Sequence, residues 1–244
     1  MSSKQNSPYY GRFKDLAWFN EMSKSTVMIC GAGGIGSHLC FMIARAGAEV
    51  ILIDNDTVDE TNLAGQLFGK EDIGKSKVQA VSDVIDRLCG ENKVNPIVER
   101  ITPDKGQWLQ FLSECNVVCA VFDNIASRKL VYEAWRKLNH RSPSLFVDGR
   151  MSAENGQVFT IQSTASPEKF KEYESNFFDD SEVVDQPCTA KATTHCGSLI
   201  SSLITSQISN FLNNVRPLEK QGIRVDRSLV DKIEFHLPVS LFYV

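Results

Sequence analysis

Three glycines follow an apolar run in the stretch "CGAGGIGSHL", in the order Gly-x-Gly-x-x-Gly at Gly31, Gly33 and Gly36. A turn with this spacing brings the backbone close to phosphates at the N-terminus of a helix. Asp54 ends the next apolar run, where an acid takes ribose hydroxyls in dinucleotide enzymes. These residues predict a nucleotide site. They leave open whether the nucleotide is a redox cofactor or a reagent to be cleaved.

The polar stretch after this acid favours a reagent to be cleaved. A dinucleotide enzyme holds its single pyrophosphate on the helix, whereas a nucleoside triphosphate needs cations and donors while its α-phosphate is attacked. Such a cluster of amide and ammonium side chains is present at Asn62, Gln66, Lys75 and Lys77. We therefore expect a triphosphate.

Two further polar residues, Asp123 and Asn124, follow a predicted strand in "CNVVCAVFDN". Asp123 would lie at the carboxyl edge of a parallel sheet, where ligands bind, and a carboxylate there can hold the Mg²⁺ that accompanies ATP. Taken alone, both side chains are better explained as caps of the following helix. Together with the lysines, they favour a magnesium–triphosphate site.

Hydrophobic periodicity predicts the elements that must position these groups. The strand at 26–30, the helix at 35–46 and the strand at 49–54 form one βαβ unit with a right-handed crossover. Strands and helices continue to alternate up to residue 163, so we predict an α/β fold with an open, doubly wound sheet. Further helices are predicted at 75–88, 127–140 and 195–214 and around Trp108, and further strands at 95–100, 115–123, 144–150 and 156–163 and within 232–244.

Residues 164–194 lack clear periodicity, and they include six acidic residues between Glu172 and Asp185. A long surface loop or a flap that binds a partner fits this composition, and so does a solvated linker. We expect no regular structure in this segment.

Composition argues against several classes of protein. A hydrophobic content of 42% over 244 residues is typical of a soluble globular protein, and a net charge of −4 argues against a nucleic-acid partner. The polar N-terminus does not resemble a signal peptide, and no apolar run approaches the ~20 residues that span a bilayer. Seven cysteines without a Cys-x-x-Cys pair indicate reduced thiols and no structural zinc. We expect a cytoplasmic protein with no membrane partner.

Four stretches together resemble the ThiF/MoeB/HesA adenylyltransferases, whose fold is shared by ubiquitin-activating enzymes: "GAGGIGSHL", "LIDNDTVDETNLAGQLF", "DIGKSKVQA" and "VFDNIASR". The resemblance covers roughly residues 9–215 and implies a Rossmann-like, mostly parallel sheet with an antiparallel C-terminal extension. It also implies one adenylation domain over residues 1–244. The parts of that domain would be an N-terminal arm and helix at 1–24, a nucleotide-binding core at 25–163, an acidic loop at 164–194, and a helix with closing strands at 195–244.

The family adenylates the C-terminal glycine carboxylate of a small ubiquitin-like or sulfur-carrier protein and releases pyrophosphate. The resemblance therefore implies ATP and Mg²⁺ as cofactors, and possible transfer of the activated protein to a separate conjugating enzyme. It assigns Asp54 to ribose and Asp123 to Mg²⁺. It assigns the phosphates to Asn62, Gln66 and Lys77. The nucleotide-binding positions that it implies are Gly31, Gly33, Gly34, Gly36, Asp54, Asp56, Asn62, Gln66, Lys77, Asp123 and Asn124.

The sequence departs from the family pattern in the loop between Asn62 and Gln66. Members usually carry an arginine there, and Gly65 stands in its place. Many members form homodimers in which an N-terminal arm places an arginine in the partner's ATP site. The stretch "YYGRFKDL" resembles that arm, so Arg12 is its candidate arginine, and a solvated arginine is the alternative.

The stretch "DQPCTAKATTHCGSLISSLI" resembles the family segment that carries an acyl-accepting cysteine, which would be Cys188. Lys191 and His195 are close enough in sequence to favour its thiolate, and an inert loop thiol is the alternative. Cys196 begins an apolar-striped helix, and we expect it to be a buried hydrophobic residue.

The resulting hypothesis is an activating enzyme that adenylates a ubiquitin-like protein and captures it on Cys188 as a thioester. One alternative is an adenylyltransferase without a catalytic cysteine, which serves sulfur transfer, peptide modification or tRNA modification. Another is a non-catalytic scaffold that binds nucleotide or a partner subunit, which Gly65 would favour. The lysines and Asp123 argue against a dinucleotide oxidoreductase.

Overall fold

The computed structural model of the chain describes residues 8–89, 93–103, 105–178, 193–223 and 231–237. Within these ranges, one sheet contains seven strands: β1 (Thr26–Cys30), β2 (Glu49–Asp54), β3 (Val94–Val98), β4 (Val117–Ala120), β5 (Leu145–Ser152), β6 (Asn155–Gln162) and β7 (Lys232–His236). Their order is β3-β2-β1-β4-β5-β6-β7. The first five of these run parallel, and β6 and β7 pair antiparallel with their neighbours. The predicted sheet is confirmed.

Helices cover both faces of the sheet, as the alternation of elements predicts. Ile43, Val81 and Ile204 bury their side chains on one face, and Trp108 and Trp135 bury theirs on the other. Each face is therefore apolar, which is the reason why the central strands β1 and β4 are apolar along almost their whole length. The helices are α1 (Ala17–Met22), α2 (Gly36–Arg45), α3 (Lys77–Cys89), α4 (Gln107–Leu112), α5 (Ile125–Lys137), α6 (Pro167–Glu174), α7 (Thr194–Asn210) and α8 (Arg216–Lys220).

The strand order reverses direction between β1 and β4. Cys30 at the end of β1 pairs in register with Ile53 of β2 and with Ala120 of β4, so all three strands end at one edge. The chain leaves β1 into α2 on one face and leaves β4 into α5 on the other. Such a reversal opens a crevice at the carboxyl ends of the strands, where open α/β sheets bind ligands.

Helix α6 corrects the expectation of a loop over residues 164–194. The Ser166 hydroxyl accepts a hydrogen bond from the Lys169 N–H at 3.4 Å, and Pro167 occupies the first turn. Phe170 and Tyr173, three residues apart, are both buried against the sheet. The expectation was wrong for this part because a short helix with one cap and two apolar side chains produces little periodicity. Residues 179–192, with the rest of the acidic segment, lie outside the described ranges.

Helix α7 packs across the glycine-rich turn. A Cβ on Gly197 would lie 2.4 Å from the carbonyl oxygen of Gly34, so only glycine permits this approach. The predicted apolar stripe of α7 is buried, including Ile200 and Ile204. The helix continues through one π-helical turn, Phe211–Val215, into α8. Among the residues described, no helix combines the length and apolarity needed to cross a membrane.

The N-terminal segment is packed on the protein by aromatic side chains. The Tyr10 and Phe19 rings lie 4.7 Å apart, and both side chains are buried. Asn213 donates a hydrogen bond to the Trp18 carbonyl at 3.4 Å, which joins this segment to the π-helical turn that follows α7. The Tyr10 hydroxyl is also bonded to Lys93, which precedes β3. The segment therefore lies at the amino ends of the strands.

The cap of α6 generates a stability prediction. We expect Ser166→Ala to lower the free energy of unfolding by about 1 kcal/mol, because the Lys169 N–H loses its acceptor. Urea denaturation measures the change, with Ser113→Ala as the control because Ser113 is an exposed serine after α4. Equal stability of the two variants would contradict the capping role of Ser166.

Candidate nucleotide site

The glycine-rich turn follows β1 and has a different constraint at each glycine. Gly31 has φ +105°, and its N–H donates to the Ile53 carbonyl at 2.8 Å. A Cβ on Gly36 would lie 1.8 Å from the Gly31 carbonyl oxygen, so this position closes the turn. A Cβ on Gly33 would meet no atom of the described chain within 4 Å. Gly33 is therefore the glycine that faces open space, where a phosphate can approach the backbone.

Asp54 connects the turn to the next loop. Its Oδ2 accepts from the Ala32 N–H at 2.7 Å, and its Oδ1 accepts from the Asp56 N–H at 2.8 Å. Burial raises the pKa of the Asp54 carboxyl, against the opposing effects of these two donors and of the Lys77 charge. The carboxylate is thus fixed at the end of β2 beside the turn, as the ribose prediction requires.

The two lysines of the "DIGKSK" stretch have different surroundings. The Lys77 ammonium lies 3.0 Å from Asp56 Oδ2, and its side chain is 11% exposed while that of Asp56 is 58% exposed. Lys75 instead forms ion pairs with Asp72 at 2.9 Å and with Asp83 at 3.2 Å. Lys77 therefore remains at the sheet edge with the turn, and Lys75 is held by two carboxylates.

The loop that contains Asn62 and Gln66 is built around a single 3-10 turn. Asn62 Oδ1 accepts from the Asp59 N–H at 3.0 Å, so its amide nitrogen is the end that could meet a phosphate. Gln66 Oε1 is buried and has no hydrogen-bond partner in the described part of the chain. Gly65 is buried between them. An unsatisfied buried oxygen is costly, and a bound ligand that supplies a donor would remove that cost.

Ser37 fixes this loop against the turn, although no sequence pattern predicted this role. Its hydroxyl donates to the Gly33 carbonyl at 2.8 Å and accepts from the Leu67 N–H at 3.1 Å. The Thr194 hydroxyl, at the start of α7, bonds the Ala64 carbonyl. A serine within the first turn of a helix is too common a feature to indicate such a role in advance.

Asp123 and Asn124 occupy different positions in the loop after β4. Asn124 caps α5, because its Oδ1 accepts from the Ser127 N–H at 2.8 Å. Asp123 is exposed, and one of its oxygens accepts from the Asn124 amide at 3.3 Å. The capping alternative thus applies to Asn124, and the Asp123 carboxylate stays available at the carboxyl edge of the sheet.

The donor set at this edge suits magnesium. Carboxylate oxygen is a ligand that Mg²⁺ prefers, and Mg²⁺ is usually held by one or two carboxylates together with phosphates and water. Throughout the described ranges, no group of three or more His, Cys, Asp or Glu side chains could hold a metal ion. A metal at Asp123 would therefore depend on phosphate oxygens of the nucleotide.

The structure does not bring every predicted residue to this edge. Arg12 is exposed and lies two residues from Tyr10, at the amino ends of the strands. A five-residue strand such as β1 separates the two ends by about 16 Å. Cys188 and Lys191 lie outside the described residues, whereas His195 is exposed with Nε2 3.7 Å from Glu154.

Cys196 has the character that the sequence predicts. It is fully buried at the start of α7. Burial, together with the charge of Glu154, raises the pKa of its thiol to about 11. Cys196 is therefore protonated at neutral pH, which is unsuitable for a nucleophile.

A buried ionic cluster contacts the loop that carries Asp123. The Arg128 guanidinium on α5 bonds the Asp148 carboxylate on β5, with 4% and 0% of the two side chains exposed. Asp148 Oδ2 also accepts from Arg150 at 2.7 Å and from the Tyr173 hydroxyl at 3.0 Å. Asp148 directly follows the apolar residues of a predicted strand. This context was the only sequence signal that its charge is buried.

Comparison with known proteins agrees with this geometry. The model of the ThiF family matches residues 12–232. The chain belongs to the ThiF family. The family motifs in the sequence therefore occur in the fold that the resemblance implied.

Several curated relatives of this ThiF-family chain are larger proteins. It is 28% identical to "Adenylyltransferase and sulfurtransferase MOCS3" of Caenorhabditis briggsae over 48% of this chain and 29% of that protein. It is 30% identical to "SUMO-activating enzyme subunit uba-2" of Caenorhabditis elegans over 57% of this chain and 23% of that protein. The matched segment thus spans less than a third of the length of either relative.

Solved structures show the same fold. PaaA superposes with a TM-score of 0.71 at 16% identity, covering 98% of this chain and 82% of that chain. MccB of E. coli, in a structure with ATP, superposes with a TM-score of 0.66 at 18% identity, covering 97% and 70%. At these identities the likeness establishes the ThiF fold alone.

Two glycine variants separate folding from binding. We expect Gly33→Ala to fold normally and to bind ATP at least about tenfold more weakly, since its methyl group would occupy the phosphate approach. Gly36→Ala should instead lower the free energy of unfolding by about 3 kcal/mol, because its methyl group overlaps the Gly31 carbonyl. Thermal denaturation and ATP titration measure both effects. Unchanged ATP affinity in Gly33→Ala would contradict the placement of the phosphates.

Proposed function

We propose that this ThiF-family chain is an ATP-dependent adenylyltransferase that activates the C-terminal carboxylate of a small ubiquitin-like or sulfur-carrier protein. The observation that carries the proposal is a continuous series of contacts from the glycine turn to an ammonium group. Ala32 N–H bonds Asp54, Asp54 bonds the Asp56 N–H, and the Asp56 carboxylate holds Lys77. The backbone donors of the turn, the carboxylate proposed to bind ribose and an ammonium group thus lie together at one edge of the sheet.

In the proposed reaction, a carboxylate oxygen of the protein substrate attacks the α-phosphorus of ATP. The bond from that phosphorus to the bridging oxygen breaks, and pyrophosphate leaves. Negative charge moves onto the leaving group, so a fixed cation stabilises the transition state more than the ground state. Lys77 supplies this cation, and the backbone at Gly33 and Gly34 supplies donors to the phosphates.

The ion pair between Lys77 and Asp56 prepares the ammonium group for this role. Asp56 is the more exposed partner, so it keeps much of its hydration while it fixes Lys77. A phosphate with greater charge can then replace Asp56 as the partner of Lys77. The Gln66 side chain could turn its amide N–H₂ group toward the same phosphates, since its Oε1 is held by no partner among the described residues.

Asp123 would hold Mg²⁺ in the proposed site. The metal, when bound, would neutralise phosphate charge. Asp123 itself contributes one exposed carboxylate beside the crevice, and Asn124 limits its motion by donating from its amide. The residues at this edge therefore bind and orient the nucleotide without a metal cage of their own.

We further propose that the adenylated protein is captured by Cys188. The thiolate would attack the acyl carbon of the adenylate, form a thioester and release AMP. Activation in one step and transfer in another is consistent with a separate conjugating enzyme as the next acceptor. The relative named SUMO-activating enzyme subunit uba-2 supports this version.

A second version omits the thioester. The relatives named adenylyltransferase and sulfurtransferase favour a sulfur-carrier protein as substrate, with direct attack on the adenylate.

In both versions we propose a homodimer in which Arg12 acts in the partner's site. The distance of Arg12 from the nucleotide edge of its own chain supports this arrangement.

The adenylation step predicts a large effect of one lysine and a small effect of its neighbour. We expect Lys77→Ala to slow ATP–pyrophosphate exchange, measured with the cognate small protein, by about 100-fold or more. Lys75→Ala is the matched control and should retain most of the exchange, because Asp72 and Asp83 hold Lys75. Equal rates for Lys77→Ala and the parent protein would contradict the assignment.

The transfer step predicts that two activities separate. We expect Cys188→Ala to retain pyrophosphate exchange and to lose a reductant-sensitive adduct with the small protein on a non-reducing gel. Cys196→Ala should keep both activities and lose about 1 kcal/mol of stability from its buried position. An adduct that persists in Cys188→Ala would favour the version without a thioester on this residue.

A further inference from the structure

One guanidinium group joins the end of β4 to the middle of β5 near the nucleotide edge. Arg128 donates to the Ala120 carbonyl at 3.1 Å and to the Gly149 carbonyl at 2.7 Å. It also bonds the Phe122 carbonyl and the Asp148 carboxylate. The side chain is 4% exposed, so these bonds are shielded from water.

Two of the three bonded carbonyls lie on the stretch of chain that leads to Asp123. Ala120 is the last residue of β4, and Phe122 is the residue immediately before Asp123. Asn124 follows Asp123 and caps α5, and Arg128 lies in the first turn of that helix. The short connection from strand to helix is therefore fixed at both ends and across its middle.

We propose that Arg128 is a positioning residue for Asp123, so that it sets how strongly nucleotide and Mg²⁺ bind together. This inference rests on the proposed function, because it takes the ligand at this edge to be ATP with Mg²⁺. Arg128 touches neither the nucleotide nor the metal in this role. It acts by holding the Phe122 carbonyl, and hence the Asp123 carboxylate, in one place.

Only an arginine meets the geometry of this position. Its planar guanidinium group directs Nη2 toward one carbonyl, while the two N–H donors of Nη1 are shared among two carbonyls and a carboxylate. A lysine would keep the charge beside Asp148 and would lose the fixed fork. Asp148 is itself oriented by Arg150 and Tyr173, so the anchor of Arg128 does not depend on Arg128 alone.

The test measures the dissociation constant of ATP by calorimetry, once with Mg²⁺ and once with a chelator. The ratio of interest is the dissociation constant in chelator divided by the dissociation constant with Mg²⁺. We expect Arg128→Lys to lower this ratio by roughly tenfold, as loss of an outer partner of a metal ligand does, while affinity in the chelator stays as in the parent protein. Asp123→Ala should bring the ratio close to one, because Mg²⁺ would no longer strengthen the binding of ATP. Arg136→Lys is the matched control, since this arginine on the same helix stacks on Phe170, and it should leave the ratio unchanged.

Each outcome decides between the two proposals. If the parent protein binds no ATP under either condition, the proposed function is wrong and the inference is wrong with it. If the parent protein binds ATP and folded Arg128→Lys keeps the parental ratio, the inference alone is overturned. If Arg128→Lys does not fold, the ratio in the isosteric variant Asp148→Asn replaces it, and a parental ratio there overturns the inference equally.

Discussion

The contact on which much of this fold depends is the buried pair between Arg128 and Asp148. It joins α5 to β5, and through Tyr173 it reaches α6 on the same face of the sheet. Removal of one partner from a buried pair costs about 3–5 kcal/mol because the other charge is left uncompensated. That amount is a large part of the roughly 5–15 kcal/mol by which a domain is stable. An apolar replacement would also leave the Phe122 and Gly149 carbonyls without this donor.

Charge is organised differently on the other side of the crevice. There the pair of Lys77 and Asp56 has one half-exposed member and can exchange its partner, whereas Arg128 and Asp148 are both inaccessible. The crevice is thus bounded on one side by the buried ionic cluster between α5 and β5, and on the other by the exchangeable ion pair that follows β2. Such an arrangement keeps the scaffold rigid, and it allows the Lys77 ammonium to exchange Asp56 for a negatively charged ligand.

Much of the fold was predictable because its signals are local. Apolar runs of five or six residues alternate with helical stripes, and the glycine spacing requires a strand before it and a helix after it. Helix α6 could also have been recognised, since Ser166 and Pro167 are standard start signals for a helix. The acidic composition that follows outweighed them.

The candidate site was less predictable, because sequence fixes the type of a residue and not its direction. Lys75 and Lys77 are two positions apart, and only the folded chain shows that two carboxylates occupy the first. The bond between Arg128 and Asp148 joins residues on different elements, so no spacing announces it. Arg12 likewise has a position that depends on where the aromatic N-terminal segment packs.

The thiols have a consequence for labelling chemistry. Six of the seven cysteines are free and buried in the described structure, and burial raises the pKa of five of these. Alkylating reagents attack exposed thiolates, so these six sites should react slowly while the protein stays folded. The remaining cysteine is Cys188. A fluorophore attached under native conditions would therefore avoid these six positions without any engineered removal of their thiols.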